Sequence, residues 1–456
     1  MNLTPPNIYL LDTVIEKKEL LQRANIALNF LTNKSLPPGS FILVDASVGV
    51  DIFPWFLACI TKQYCLVPIS SFAAKNKEQL AYYFSLFKKN VFIDSTFSLK
   101  PVSSLEEEII LPALKDVPNN FWATIMSSGS TGAQKAVVLT KENFLASAMA
   151  HAKHHGNFGL WLNALPLYHV GGLSVFTRAL LLGQDIAYTE KFSPDLLVRW
   201  IDAHPITHTS MVPTMLYKCL QNKDCMESLR GLRAILLGGA AADEDLLRRA
   251  KKEKINVLTT YGLTESCSQV VTAPYEADFC TAAGVPLEGV SLKINESQEI
   301  CISGKMLSPG YWQEEQKISS LPLREGYFPT GDLGEIDAAG GVKVLGRKDD
   351  LIVSGGINIY PAEVESAISS LPHVAGVVVL GLKDSEWGQR LVSAVEWDYS
   401  KNCPEKKMSV DELREYLRQK IDSRKIPKEF LFVTELPRTE SQKIIRHKVV
   451  ELFKKN

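Results

Sequence analysis

Neither sign of charge dominates this chain: 50 Lys and Arg stand against 51 Asp and Glu in 456 residues. No general field draws it to nucleic acid or to an anionic membrane, although a local basic patch is left open. Long apolar runs are also missing. None reaches the ~18–20 residues that a bilayer span needs. VDIFPWFLACI, 50–60, falls well short and contains Pro54, so it predicts a buried helix. The first residues, MNLTPPNIYLLDTVIEKKEL, have no basic start and no long apolar centre, so a secretory leader is not expected. Eight cysteines are scattered without a CxxC pair, which predicts reduced thiols in a cytoplasmic enzyme. Cys267 is expected to be structural. Internal repeats and low-complexity tracts are absent as well.

What is present is a large core: 46% of residues are apolar. The length suggests two or three domains. From Ser40 to about Tyr261, short apolar runs alternate with helical ones. FILVD, CLVPI, NVFID, ITHTSMV, LRAILLGG and INVLTTYG read as strands, each ending in small or polar residues. That pattern predicts an α/β fold of mostly parallel sheets covered by helices, with ligands beyond the carboxyl ends of the strands. After Ala283, VSLKI, EICIS, LGEID and GVKVLG predict a small β subdomain. The last hundred or so residues read as a compact α+β domain. The expected division is 1–348 and 349–456.

Five segments carry chemistry. SSGSTGAQKAVVLT, 127–140, sets Gly129 and Gly132 among the hydroxyls of Ser127, Ser128, Ser130 and Thr131, with Lys135 following. Glycines let backbone N–H groups approach phosphate oxygens, and hydroxyls and a cation add to the grip. The spacing is not that of a Walker A loop, and a strand rather than a helix follows. A polar hairpin turn is the plain alternative. TTYGLTES, 259–266, offers Tyr261 as a flat face for a purine, Thr264 as a donor to phosphate and Glu265 as an oxygen ligand for Mg²⁺; taken alone, a capped turn at a strand end is the better reading. In YFPTGDLGEID, 327–337, Asp332 suits ribose hydroxyls, or else an ordinary Asx turn. GRKDDLIVSGGINIYPAEVE, 346–365, brings Arg347, and PRTESQKIIRHKV brings Lys443 and Arg446; a charged loop and a basic helix are the alternatives.

In this order and at these separations the five segments resemble the adenylate-forming superfamily of acyl-CoA synthetases, luciferases and peptide-synthetase adenylation domains. The resemblance covers nearly the whole chain. It implies ATP, Mg²⁺ and CoA as co-substrates and cofactor, and a carboxylic acid as the molecule activated. It implies that Ser127 to Lys135 hold phosphate, and that Gly238, Gly239, Ala240, Tyr261 and Gly262 flank the nucleotide and acyl groups. Thr264 and Glu265 then serve the phosphates and the metal, and Asp332 and Arg347 the ribose. Lys443 is the mobile catalytic lysine, Asp349 the hinge, and Gly355-Gly356 a loop on the CoA side. LPLYHVGGLSVFTRALLLG, 165–183, and the Lys135-Ala136 pair are similar to the o-succinylbenzoate–CoA ligase branch of menaquinone synthesis, which makes His169 a gating residue. The pattern departs at Gln134, where proline is usual, at Gln442, where glycine is common, and at Ala240-Ala241, where a third glycine is frequent. Other acyl- or aryl-CoA ligases, adenylation enzymes that load carrier proteins and inactive nucleotide-binding regulators remain open. So does a homo-oligomer.

HAKHH, 151–155, puts His151 and His155 at metal-ligand spacing on a helix. With no carboxylate or cysteine nearby, it is expected to be a solvated helix end.

Overall fold

The computed structural model describes residues 3–88, 90–94, 96, 97, 99, 111, 120–128, 134–156, 159–240, 242, 244–275, 283–371, 373–397, 408–438 and 444–455. They form two compact units. One comprises Met1–Ala240, Ala250–Leu292 and Ile302–Phe328, and the other Ala241–Arg249, Lys293–Cys301 and Pro329–Asn456.

Two large sheets build the first unit. In one, the order is Ile318–Ser320, Gly310–Trp312, Gln134–Thr140, Phe121–Ser128, Cys65–Ile69, Phe41–Asp45, Asn90–Ile93. Its last four strands are parallel, and the hairpin Phe121–Ser128/Gln134–Thr140 adds an antiparallel flank. The strands FILVD and CLVPI are buried along their whole length, as continuous apolar runs in a covered parallel sheet require. The other sheet has nine strands. At its centre Leu160–Asn163, Ile206–Met211, Ala234–Leu237 and Val257–Leu263 run side by side and parallel.

Helix Ile52–Lys62 forms where the sequence predicts it, and Ile52 to Ile60 are all buried. Its Phe53 stacks on Phe176 of helix Val170–Leu182 at 4.1 Å and 13°. Trp122 stacks on Phe144 of helix Lys141–His155. These helices and both sheets share one hydrophobic cluster, so the strand ends are held on a rigid frame.

The second unit contains the sheet Ile357–Ile359, Ile352–Ser354, Gly388–Trp397, Val374–Asp384, with Glu429–Val433 parallel to Gly388–Trp397. Apolar clusters cover both of its faces. Gly355 and Gly356 link its first two strands at φ +57° and +79°. Two left-handed residues in a two-residue turn match a hairpin's twist and call for glycine. A Cβ on Gly355 would also meet Trp387 Cε3 at 2.8 Å.

Candidate active site

Four neighbouring parallel strands end at one edge of the nine-stranded sheet, so the segments that follow them emerge together. After Leu160–Asn163 comes LPLYH. The fully buried Asn163 orders it, accepting from Leu165 N at 3.1 Å and donating to Gly172 O at 2.9 Å. His169 is the N-cap residue of helix Val170–Leu182, its ring tilted on Tyr168 with centroids 4.5 Å apart. A Cβ on Gly172 would meet Pro166 O at 2.3 Å, so glycine lets the helix start this close to the preceding loop. After Ala234–Leu237, Gly238 donates to Met211 O at 3.1 Å, and Gly239 turns at φ +80° before Ala240. A Cβ on Gly238 would lie 2.6 Å from Thr260 Cγ2. After Tyr261 and Gly262, Thr264 and Glu265 open a short 3₁₀ turn.

Lys135 reaches the same group of residues from the other large sheet. Its Nζ lies 5.1 Å from the centroid of the Tyr311 ring, a cation–π distance. The Tyr311 hydroxyl donates to Glu265 Oε1 at 2.9 Å. Ser308 fixes the Glu265 backbone, donating its N–H to Glu265 O at 2.7 Å, and its hydroxyl donates to Val138 O at 2.6 Å. A lysine and a glutamate 130 positions apart in sequence therefore share one aromatic side chain. Glu265 and Thr264 present hard oxygen donors. That donor set fits Mg²⁺, which takes one or two carboxylates and completes its shell with phosphate oxygens and water.

Gly129, Ser130, Thr131, Gly132, Lys443 and the side chain of Ser128 lie outside the described residues. Ser127 is paired with Lys135 across the hairpin.

In the second unit Asp332 is buried, and Arg347 Nη1 donates to its Oδ1 at 2.9 Å across an antiparallel pair. Gly331, at φ +76°, turns the chain before it, its N–H donating to Glu299 Oε1 at 2.9 Å. Asp349 sits in the 3₁₀ turn Lys348–Asp350. Arg446 donates to Glu365 Oε1 and to Val379 O, each at 2.7 Å. Burial pushes the Glu365 carboxyl up, and Arg446 opposes that shift. Arg446 is thus a structural cation in this unit.

The HAKHH expectation is overturned. His151 and His155 are 1% and 3% exposed, because the helix lies between the sheets and turns this face inward. His151 Nδ1 lies 2.6 Å from Arg178 Nη1. The Tyr275 hydroxyl is 2.7 Å from His155 Nδ1 and 3.0 Å from His208 Nε2, and His208 stacks on Trp161. Burial is the main cause that depresses His151 far below the usual imidazole range; the Arg178 charge adds to it. His155 falls to about 2 for the same reasons, with His154 contributing. Arg178 is 4% exposed, and burial lowers its guanidinium to about 10. Among the described residues its hydrogen-bond partners are Ser174 O and Oγ, His151 and Gln269, none of them a carboxylate, and it lies 5.7 Å from the centroid of the Trp161 ring. Cys267 is buried with its thiol pushed up by desolvation, as fits a structural cysteine.

Sequence reasoning missed Arg178 and Tyr311. Arg178 is the sole charge in VGGLSVFTRALLL, a signal that could have found it. Tyr311 carries no comparable mark, since an aromatic on a short strand is ordinary.

The AMP-binding enzyme model matches residues 17–312, and the AMP-binding enzyme C-terminal domain model matches 363–443. The chain belongs to the AMP-binding enzyme family. The 2-succinylbenzoate–CoA ligase of Bacillus licheniformis is 38% identical over 342 residues, 72% of this chain and 69% of that one. That of Bacillus pumilus is 32% identical over 460 residues, 95% and 92% of the two chains. Among solved structures of this family, the o-succinylbenzoate CoA synthetase of Bacillus subtilis in complex with its acyl-adenylate intermediate superposes with a TM-score of 0.82. It is 27% identical, and the match covers 98% of this chain and 95% of that one. The same enzyme with ATP and magnesium ion gives a TM-score of 0.82 at 28% identity, covering 98% and 97%. No helix among the described residues is long and apolar enough to cross a membrane.

Proposed function

We propose that this chain is an AMP-forming acid–thiol ligase that adenylates 2-succinylbenzoate and passes the acyl group to CoA. The observation that carries the reading is the convergence of Lys135, Tyr311 and Glu265. A carboxylate is a poor electrophile, and adenylation gives it a leaving group. The attacking acid and the phosphates are both anionic, so cations must offset their repulsion. At ~4 Å and an effective dielectric near 20, one unit charge pair contributes about 4 kcal/mol, or roughly three decades in rate. In this reading Lys135 faces the phosphates, and Glu265 with Thr264 holds Mg²⁺. Ser127 to Gly132 cradle the phosphates with backbone and hydroxyl donors.

Tyr261 and Gly262 flank the adenine, while Asp332, steadied by Arg347, takes the ribose hydroxyls. Tyr168, His169 and the small residues Gly171, Gly172 and Gly238 to Ala240 suit a flat aromatic acid. Arg178 adds a buried positive charge without a carboxylate partner among the described residues, which favours an acid with a second anionic end. The mobile portion is 349–456, turning about Asp349. It presents Lys443 for adenylation and the Gly355-Gly356 turn for thioester formation.

A substrate panel tests this reading. With CoA and Mg·ATP, kcat/KM for 2-succinylbenzoate should exceed that for octanoate by at least about tenfold, a difference of only ~1.4 kcal/mol. A preference for octanoate or for a cinnamate-like acid contradicts the substrate assignment and leaves the two-step chemistry intact.

A further inference from the structure

Helix Lys77–Leu86 touches both strands that present the Lys135–Tyr311 pair. Tyr83, 2% exposed, donates its hydroxyl to Gln134 Oε1 at 2.8 Å and accepts from Gln79 Nε2 at 2.9 Å. Gln134 opens strand Gln134–Thr140, immediately before Lys135. At the end of the helix, Leu86 O accepts from Trp312 Nε1 at 3.0 Å, one residue after Tyr311. Trp312 pairs with Ala136 across the strands. The phenol ring belongs to the cluster of Phe41, Phe87 and Ala136, which fixes where its oxygen lies.

The resembling enzymes usually have proline where this chain has Gln134. Proline fixes φ at the mouth of the loop through its own ring. Glutamine lacks that restraint, and here its side chain is tied to a buried hydroxyl instead. A buried, doubly engaged hydroxyl is a rigid anchor, because breaking either bond strands a polar group out of water.

We propose that Tyr83 is a positioning residue: through Gln134 it sets the strand end from which Lys135 meets the nucleotide phosphates. The inference rests on the reading of Lys135 as a phosphate-binding cation. Losing the anchor lets the lysine sample unproductive positions before the nucleotide binds. The loss should therefore appear in nucleotide affinity more than in turnover of the saturated enzyme.

The test combines Tyr83→Phe, Gln134→Leu, the double variant, and Lys135→Ala. Mg·ATP binding is measured by calorimetry without acid, beside steady-state kinetics and thermal melting. Tyr83→Phe and Gln134→Leu should each raise the Mg·ATP Kd and the ATP KM by about threefold to tenfold, the range of one neutral hydrogen bond. For each, kcat should stay within about twofold. The double variant should be no worse than either single one. Phe87→Leu, which loosens the same cluster but keeps the hydroxyl, should lower the melting temperature and leave the Kd unchanged. Wild-type affinity in both Tyr83→Phe and Gln134→Leu, with Lys135→Ala weakened, overturns the positioning role and leaves the phosphate reading standing. Multiplying effects in the double variant, or a Kd that tracks melting temperature across Phe87→Leu as well, also overturns it. Undiminished affinity in Lys135→Ala removes the reading on which it rests.

Discussion

Tyr311 donates its hydroxyl to Glu265 Oε1 at 2.9 Å while its ring faces the Lys135 ammonium at 5.1 Å. The proposed phosphate-binding cation and the proposed magnesium ligand thus both contact one aromatic side chain. A direct ion pair would let each neutralise the other before the nucleotide arrived.

Tyr311→Phe separates the two contacts, since it keeps the ring and removes the hydroxyl. The Mg²⁺ concentration for half-maximal activity should rise by about tenfold to a hundredfold, the worth of a hydrogen bond to a charged group. Tyr311→Leu should add a loss in ATP affinity. A magnesium titration of both variants checks this. An unchanged magnesium requirement in Tyr311→Phe means that Glu265 is oriented by something else.

The two half-reactions should respond differently to changes in the second portion of the chain. Lys443→Ala should slow adenylate formation by about two to four decades, typical of lost transition-state charge stabilisation. Conversion of synthetic acyl-AMP and CoA to thioester should be nearly spared. Asp349→Pro, which fixes φ at the proposed hinge, should allow adenylation and block thioester formation. Equal losses in both half-reactions for Lys443→Ala would remove the lysine from its assigned step.

The buried histidines predict acid lability. His151 and His155 have folded-state values below those of the unfolded chain, so unfolding takes up protons. Their contribution is complete above the ordinary value of ~6.5 and is lost progressively as pH falls toward the depressed folded values, about 2 for His155. Each such histidine steepens the fall by up to about 1.4 kcal/mol per pH unit below ~6.5. Urea denaturation at pH 7, 6 and 5 should show it, before most carboxylates titrate. His155→Gln should flatten the slope. A flat profile from pH 7 to 5 in the parent protein rules out this coupling.

Candidate motifs are legible in the sequence because they are local. Gly-rich turns, a strand-end Thr264-Glu265 and a Gly331-Asp332 turn declare themselves in a few residues. The strands of the first unit were equally plain, since continuous apolar runs such as FILVD and CLVPI have few other uses. What stayed hidden depends on contacts distant in sequence. HAKHH has the composition of a solvated helix end, and only the packing of Lys141–His155 against two sheets buries it. Tyr311 acquires its place through pairing with Val137, and Gln134 its anchor from Tyr83, 51 positions earlier.

In the proposed reaction 2-succinylbenzoate is activated as an adenylate before any thiol is involved. The most direct measurement is acid-dependent pyrophosphate release from Mg·ATP, with and without CoA. Without CoA, 2-succinylbenzoate should give a burst close to one pyrophosphate per active site, because the adenylate stays bound. CoA should convert the burst into steady turnover with stoichiometric AMP. Absence of any 2-succinylbenzoate-dependent pyrophosphate, or release of ADP and phosphate in its place, would mean that no 2-succinylbenzoyl adenylate forms.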